Sequence, residues 1–404
     1  MVQGIFIWLI TLLASYLIIT QVCQRNNFLD KGFLVKLFFF HSLLALTYYL
    51  YALSNPSDSR AYYLKVLQDF RGESWADFYG TSTLFIEFVG YPFVKFLGFS
   101  YESMASVFAF FGFVGFIFFY VFFKERTRLT HHILSFNFLI IIFLLPNLHF
   151  WSSSFGKGSL IFCGFGLFFY AINKPLPRLW VLLMSSYIIY MIRPHIFFVV
   201  LIGLTLGYTF SAKKVSPVLR SLVLMIGAAM LVYIYDDIIK ITGLEEESIL
   251  DAGFSDRAER LTSATSGIDI ANYNILEKMF AFWFRPLFFD APGILGIIVS
   301  FENLFYLFVF ASLFHPKAIA FILKADPITK TCFITFMGVS FALAQISGNL
   351  GLAMRQKSQV MILMMFVILK FMDEQKIVNL QRIAFRKRIA QHRAMLKEKR
   401  ESVR

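Results

Sequence analysis

Five short motifs keep ionisable side chains in a chain that is otherwise strongly apolar. The first is Ser57-Asp58-Ser59-Arg60-Ala61-Tyr62-Tyr63. A carboxylate such as Asp58 can take the proton of a hydroxyl as a general base. The neighbouring Arg60 suits phosphate oxygens, because a guanidinium is a bidentate, permanently charged fork. The same residues also make a good helix start, since Ser and Asp side chains accept from free backbone N–H groups. The second motif is His149-Phe150-Trp151-Ser152-Ser153-Ser154-Phe155-Gly156-Lys157-Gly158-Ser159. Small residues around Lys157 at the start of an apolar run fit an anion site built from backbone N–H groups and one ammonium. The plain alternative is a turn between helices whose lysine reaches up to the interface. The spacing is not that of a Walker P-loop. The third, Arg193-Pro194-His195, interrupts what would otherwise be continuous apolar sequence. It reads as a phosphate or pyrophosphate site, with His195 able to move a proton, or as an interfacial anchor. The fourth, Trp283-Phe284-Arg285-Pro286, and the fifth, Gly348 to Lys357 with Arg355 inside it, each bring a guanidinium to the end of an apolar stretch. Anchor and anion ligand are the two readings for both.

The elements that must position these groups follow from composition. Of 404 residues, 58% are apolar and 16% charged, against about 25% charged in ordinary globular domains. One soluble core cannot hide that excess, but a bilayer accepts it. The 52 phenylalanines read as lipid-facing and inter-helix filler. A membrane-crossing helix needs about 20 mostly apolar residues. Such windows fall at 2–23, 33–53, 105–123, 132–148, 158–173, 179–193, 195–211, 218–236, 292–314, 328–348 and 356–372. The expectation is an all-α, polytopic transmembrane helical bundle of about eleven spans. Residues 82–99 contain Glu87, Gly90, Pro92 and Lys95 and read as a re-entrant or interfacial segment.

Charge gives the direction. Arg25, Lys31 and Lys36 lie between the first two windows; Lys124, Arg126 and Arg128 follow the third; Lys174 and Arg178 follow the fifth. Lys213, Lys214 and Arg220 follow the seventh, and Lys317, Lys324 and Lys330 the ninth. These are alternate connections, and basic residues mark the cytoplasmic side. The N-terminus is therefore expected outside and the C-terminus inside. The first window has no basic stretch before it and no small-residue cleavage site, so it reads as a retained span. Residues 1–372 make a transmembrane domain with outer loops 54–104 and 236–291; residues 236–290 hold eleven acidic and five basic side chains. Residues 373–404 hold ten basic and four acidic ones and read as a basic cytoplasmic amphipathic tail. Its partner is expected to be anionic inner-leaflet lipid or a cytoplasmic protein. The net charge of +13 is mostly this cytoplasmic signal and needs no nucleic acid. Cys23, Cys163 and Cys332 have no ligand-like spacing, so no metal or disulfide framework is expected.

This threading collects Asp58, Asp77, Arg60, Lys157, Arg193, His195, Arg285, Arg355 and Lys357 at the outer face. Cations with few carboxylates beside aromatic helices fit a lipid-linked phosphate substrate, its chain between helices and its phosphate on Arg and Lys. At Asp58-Ser59-Arg60-Ala61-Tyr62, Phe150-Trp151-Ser152-Ser153 to Lys157, Arg193-Pro194-His195, and Gly351 to Arg355, the chain resembles bacterial membrane glycosyltransferases and polysaccharide polymerases of the GT-C and Wzy/EpsG-like kind. The resemblance implies inverting sugar transfer from an undecaprenyl-linked donor in the cytoplasmic (inner) membrane, without a cofactor. It makes Asp58 the base and the outer arginines the phosphate ligands. In the combined reading Asp58 and His195 are catalytic, and Arg60, Lys157, Arg193, Arg285 and Arg355 bind phosphate. Rival readings are an O-antigen-ligase-like transferase, a lipid or polysaccharide transporter, for which Glu302 in the ninth window is the argument, and a non-catalytic envelope-complex subunit.

Overall fold

The computed structural model describes residues 2–133, 135–211, 216–233, 273–291, 293–345 and 350–401. Most of the acidic outer loop, Lys213, Lys214 and Gly348-Asn349 lie outside the described residues. Among the described residues everything regular is helical except a small hairpin, β1 (His132–Ile133) paired antiparallel with β2 (Phe136–Asn137).

In chain order the helices are α1 (Val2–Arg25), α2 (Lys31–Ser54), α3 (Asp58–Leu67), α4 (Thr83–Tyr91), α5 (Tyr101–Arg126), α6 (Phe138–Phe143), α7 (Pro146–Trp151), α8 (Lys157–Ile172), α9 (Leu179–Ile192), α10 (Pro194–Thr209) and α11 (Pro217–Tyr233). They continue with α12 (Ile275–Phe284), α13 (Gly293–Ala311), α14 (Pro316–Lys324), α15 (Pro327–Ala344), α16 (Leu350–Lys357) and α17 (Met361–Glu401). Among the described residues five helices are long and apolar enough to cross a membrane: α1, α2, α5, α13 with its following turn, and α15. A sixth crossing results if α16 and α17, bent by 51° at their junction, count as one. These helices fit a multi-pass membrane protein.

That number is lower than the eleven apolar windows, because a window counts apolar residues whereas a span needs unbroken backbone. The window at 132–148 is divided among the β-hairpin, α6 and α7, with Pro146 opening α7. Pro194 separates α9 from α10, which have 14 and 16 residues. Proline lacks the N–H that a continuous helix would use. The 82–99 segment is the nine-residue α4 followed by a π-helical turn at Pro92–Phe96. It is too short to cross, and its Glu87 is buried against Arg71 at 3.0 Å and Lys65 at 3.7 Å.

α5 is the central post. It packs most closely on α8 and also against α1 and α2, burying Phe108, Phe113, Phe116, Phe119, Phe122 and Phe123 completely. α1, by contrast, leaves Ile5, Phe6, Leu9, Leu13 and Leu17 exposed, the apolar surface a bilayer would cover. Gly112 lets the 151–158 turn sit tightly on the post, and Gly158 lets the turn close on itself. A Cβ at Gly112 would collide with the Ser152 carbonyl, and one at Gly158 with the Trp151 carbonyl. Backbone cannot swing aside as a side-chain tip can. Gly158→Ala is therefore expected to lower stability by about 1–3 kcal/mol, read as a lower unfolding midpoint in detergent. An unchanged midpoint would show that the turn yields freely.

The helix termini sort into two ends. At one, Gln3 bonds Gly98 and Ser100 (3.0 and 2.8 Å), close to α3 and the start of α5. At the other, Glu125 holds Arg178 and Lys174 at 2.6 and 2.9 Å, Arg126 pairs with Asp326, and Asp373 accepts from the backbone of Arg128 and Leu129 at 3.1 and 2.9 Å. The basic tail is no separate element. It continues the last apolar helix without a break as the 41-residue α17, whose residues 378–395 are exposed.

Candidate anion site

Four of the motif residues meet in one narrow cleft at the first of these ends. Asp58, Lys157, Arg193 and Arg355 line it together with Tyr48, Ser59, Tyr62 and the 154–158 backbone. They come from α3, the start of α8, the α9–α10 junction and α16, as much as 297 positions apart for Asp58 and Arg355.

Each residue is placed by local chemistry. Ser57 caps α3, accepting from the Arg60 N–H at 3.4 Å. With the cap supplied by serine, the Asp58 carboxylate is left to pair with Arg355. Lys157 is the first residue of α8, and no side chain caps that helix start. Its ammonium donates to Ser82 Oγ at 2.7 Å, while the backbone of Gly156 and Gly158 beside it faces the cleft. A helix start with open N–H groups carries partial positive charge. Arg193 ends α9, donating its own N–H to Ile189 at 2.9 Å. Its side chain is only 7% exposed. Among the described residues no carboxylate is within ion-pair distance of it, and the cation that shares the cleft wall and acts on its charge is Arg355. Burial pushes the Tyr62 phenol above its ordinary value, Asp58 adds to the rise and Arg355 opposes it. Tyr62 thus stays a hydrogen-bond donor.

Among the described residues the cleft therefore holds three cations, one helix start and one carboxylate. A buried guanidinium without a counter-ion is costly. An anionic ligand would supply what the fold does not.

The other motif residues are placed elsewhere. Arg60 is exposed on α3 and does not line the cleft. His195, on the first turn of α10, does not line it either. Arg285 is taken up locally by Asp290 (2.5 Å) and Tyr273 (3.1 Å). Asp77 accepts from the Ser74 N–H at 3.0 Å and closes a capping box. Lys357 is fully buried and donates to Trp283 O, Arg285 O and Asn303 Oδ1 at 3.2, 2.8 and 2.6 Å. Glu302 is also buried, accepting from the Asn147 N–H at 2.9 Å and the Tyr306 hydroxyl at 2.6 Å. Among the described residues no group of His, Cys, Asp and Glu could hold a metal. Tyr48 and Ser82, on the wall and behind Lys157, carry no motif signal in the sequence. Only the packing of α2 and of the turn before α4 brings them in.

The Asp58–Arg355 pair is 53% and 31% exposed, and exposed pairs contribute about 0–1 kcal/mol. Asp58→Asn and Arg355→Gln are expected to shift the unfolding midpoint by no more than that. A loss of several kcal/mol in either variant would make the pair a structural pin instead.

No protein-family model, curated protein or solved structure matches the chain.

Proposed function

We propose that the chain transfers or polymerises sugar units from a polyprenyl-(pyro)phosphate-linked donor at the outer face of a bacterial cytoplasmic membrane, in surface-polysaccharide synthesis. The observation that carries this is the cleft, where Arg193, Arg355 and Lys157 stand against the single carboxylate of Asp58. Guanidinium forks and a helix start bind phosphate oxygens. Apolar helices around them accept a lipid chain. Asp58 acts as base once the phosphate draws Arg355 away from it, and takes a proton from the acceptor hydroxyl. His195 is a reserve for that role only if α10 turns. In this reading the shorter apolar helices also enter or cross the bilayer, giving about eleven passes with the N-terminus outside. A 14-residue helix such as α9 then has to be met by local thinning.

The test is deletion followed by analysis of surface polysaccharide and lipid-linked intermediates. Shorter polymer with a swollen pool of lipid-linked units is expected. Unchanged polymer and pool would sink the proposal. A polymer made at normal length but not attached would favour the ligase-like transferase, which would use the same cleft. The transport reading leaned on Glu302. Its bonds to Asn147 and Tyr306 give it a packing role, so Glu302→Gln is expected to keep near-normal polymer. Loss of polymer in a normally folded Gln variant would restore the transporter.

A further inference from the structure

Two imidazoles meet in the apolar interior, away from the cleft. His41 of α2 and His149 of α7 are 1% and 0% exposed. Their Nδ1 atoms are 2.9 Å apart. The far nitrogen of each ring faces a backbone carbonyl: His41 Nε2 lies 2.9 Å from Ala109 O and His149 Nε2 lies 2.7 Å from Phe143 O.

The protons can be counted from these contacts. A carbonyl oxygen only accepts, so both Nε2 atoms must carry hydrogen. Two neutral imidazoles then have bare lone pairs at both Nδ1 atoms, and these would face each other at 2.9 Å. Moving one proton inward instead leaves an Nε2 lone pair against a carbonyl. Every arrangement of two protons leaves one of the three close contacts unbonded. Three protons satisfy all of them: two donated to the carbonyls and one held between the Nδ1 atoms. The pair then carries one positive charge.

The surroundings suit such a charge. The Phe116 ring stacks on His149 at 3.9 Å with 4° between planes, and also flanks His41 at 5.4 Å. Aromatic faces attract cations. Phe40 and Phe113 present edges and faces at 4.9 and 5.9 Å. The proton also has an entry. His41 lies on the wall of a groove of about 480 Å³ between α1, α2 and α5, with Thr11, Ser42 and Ser106 as its hydroxyls. Among the described residues Glu102, at the α5 end, is its one carboxylate, and besides His41 itself Tyr49 is its one other ionisable side chain. Among the described residues, α1 lines the groove with Gly4, Ile5, Trp8 and Thr11 and no charged side chain, and α7 does not line it.

We propose that His41 and His149 form a proton-binding site inside the bundle, one proton being shared between their Nδ1 atoms and exchanged through the α1–α2–α5 groove. The bound proton ties α7 to α2. Because α7 runs directly into Ser152, Ser153 and the 154–158 backbone of the cleft, the same proton sets how firmly that backbone is held. The inference does not depend on which substrate the cleft takes.

The test is ¹⁵N magnetic resonance of the full chain, histidine-labelled, in lipid nanodiscs at about pH 6, near the ordinary histidine midpoint. Two rings protonated at Nε2, with Nδ1 shifts between those of imidazole and imidazolium and a ¹⁵N–¹⁵N coupling across the one shared proton, are expected. That coupling identifies the pair in the unaltered protein, so no variant has to fold. His149→Asn, where it folds, is expected to remove the coupling and the extra proton together. Two rings with neutral shifts and no coupling at about pH 6 would overturn the proposal.

Discussion

Arg193→Gln is expected to lower polymer formation by about 10- to 100-fold while leaving the chain as stable as before, or more so. Hydrogen bonds to a charged group are worth about 1.5–3 kcal/mol, which converts to that range of rates. Arg193 is almost fully buried, and Arg355 rather than a carboxylate is its charged neighbour. Removing a buried charge that has no counter-ion relieves the empty protein. In the proposed reading, removing it from the liganded protein deletes a phosphate contact. Activity and stability should therefore part company, as they do where a site is held strained for function. Arg193→Lys is expected to recover part of the loss, since charge remains but the fork does not. The measurement is polymer length and lipid-linked pool in a complemented deletion strain, with protein level and unfolding midpoint alongside. Full activity of the Gln variant at normal abundance would remove Arg193 from the site.

The second large effect is expected at Lys357, and there stability moves. Lys357→Met is expected to cost about 3–5 kcal/mol, enough to leave little folded protein. The ammonium gathers the end of α12, the loop at Arg285 and Asn303 of α13 onto the end of α16. Methionine has similar length but no donor, so the buried Asn303 Oδ1 and the half-buried Trp283 and Arg285 carbonyls lose their partner. The readout is the folded fraction in detergent, by size-exclusion profile and unfolding midpoint. A drop under about 1 kcal/mol would show the three acceptors to be satisfied some other way.

These two residues mark where reading the sequence succeeds and where it stops. Arg193 and Lys357 look alike in one dimension, each a cation at the edge of an apolar run. Nothing in residue type or spacing separates the one that opens on a cleft from the one clamped by carbonyls. Arg285 and Asp77 are similar cases: Asp290, five positions on from Arg285, and the Ser74 cap before Asp77 give each a local partner. Both short-range solutions are visible in the sequence once capping and near-neighbour pairs are weighed ahead of remote ones. The His41–His149 pair has no such signal. It joins positions 108 residues apart, and nothing in the spacing of His41 or in the motif that begins at His149 points to the other ring.

What the amino-acid sequence determined is the all-helical, apolar architecture and the short set of polar residues that such an architecture has to explain. Both follow from local quantities, the density of apolar side chains and the cost of placing charge among them. The number of long helices was not determined this way, because Pro146 and Pro194 break backbone without lowering apolarity. Only the tertiary structure decided that Asp58, Lys157, Arg193 and Arg355 share a cleft while Arg60, His195 and Arg285 do not line it. The reason is geometric. That cleft exists where α3, α8, α16 and the α9–α10 junction reach the same end of the bundle, and the close approach of Gly112 to Ser152 and of Gly158 to Trp151 sets the 151–158 turn that forms part of its wall.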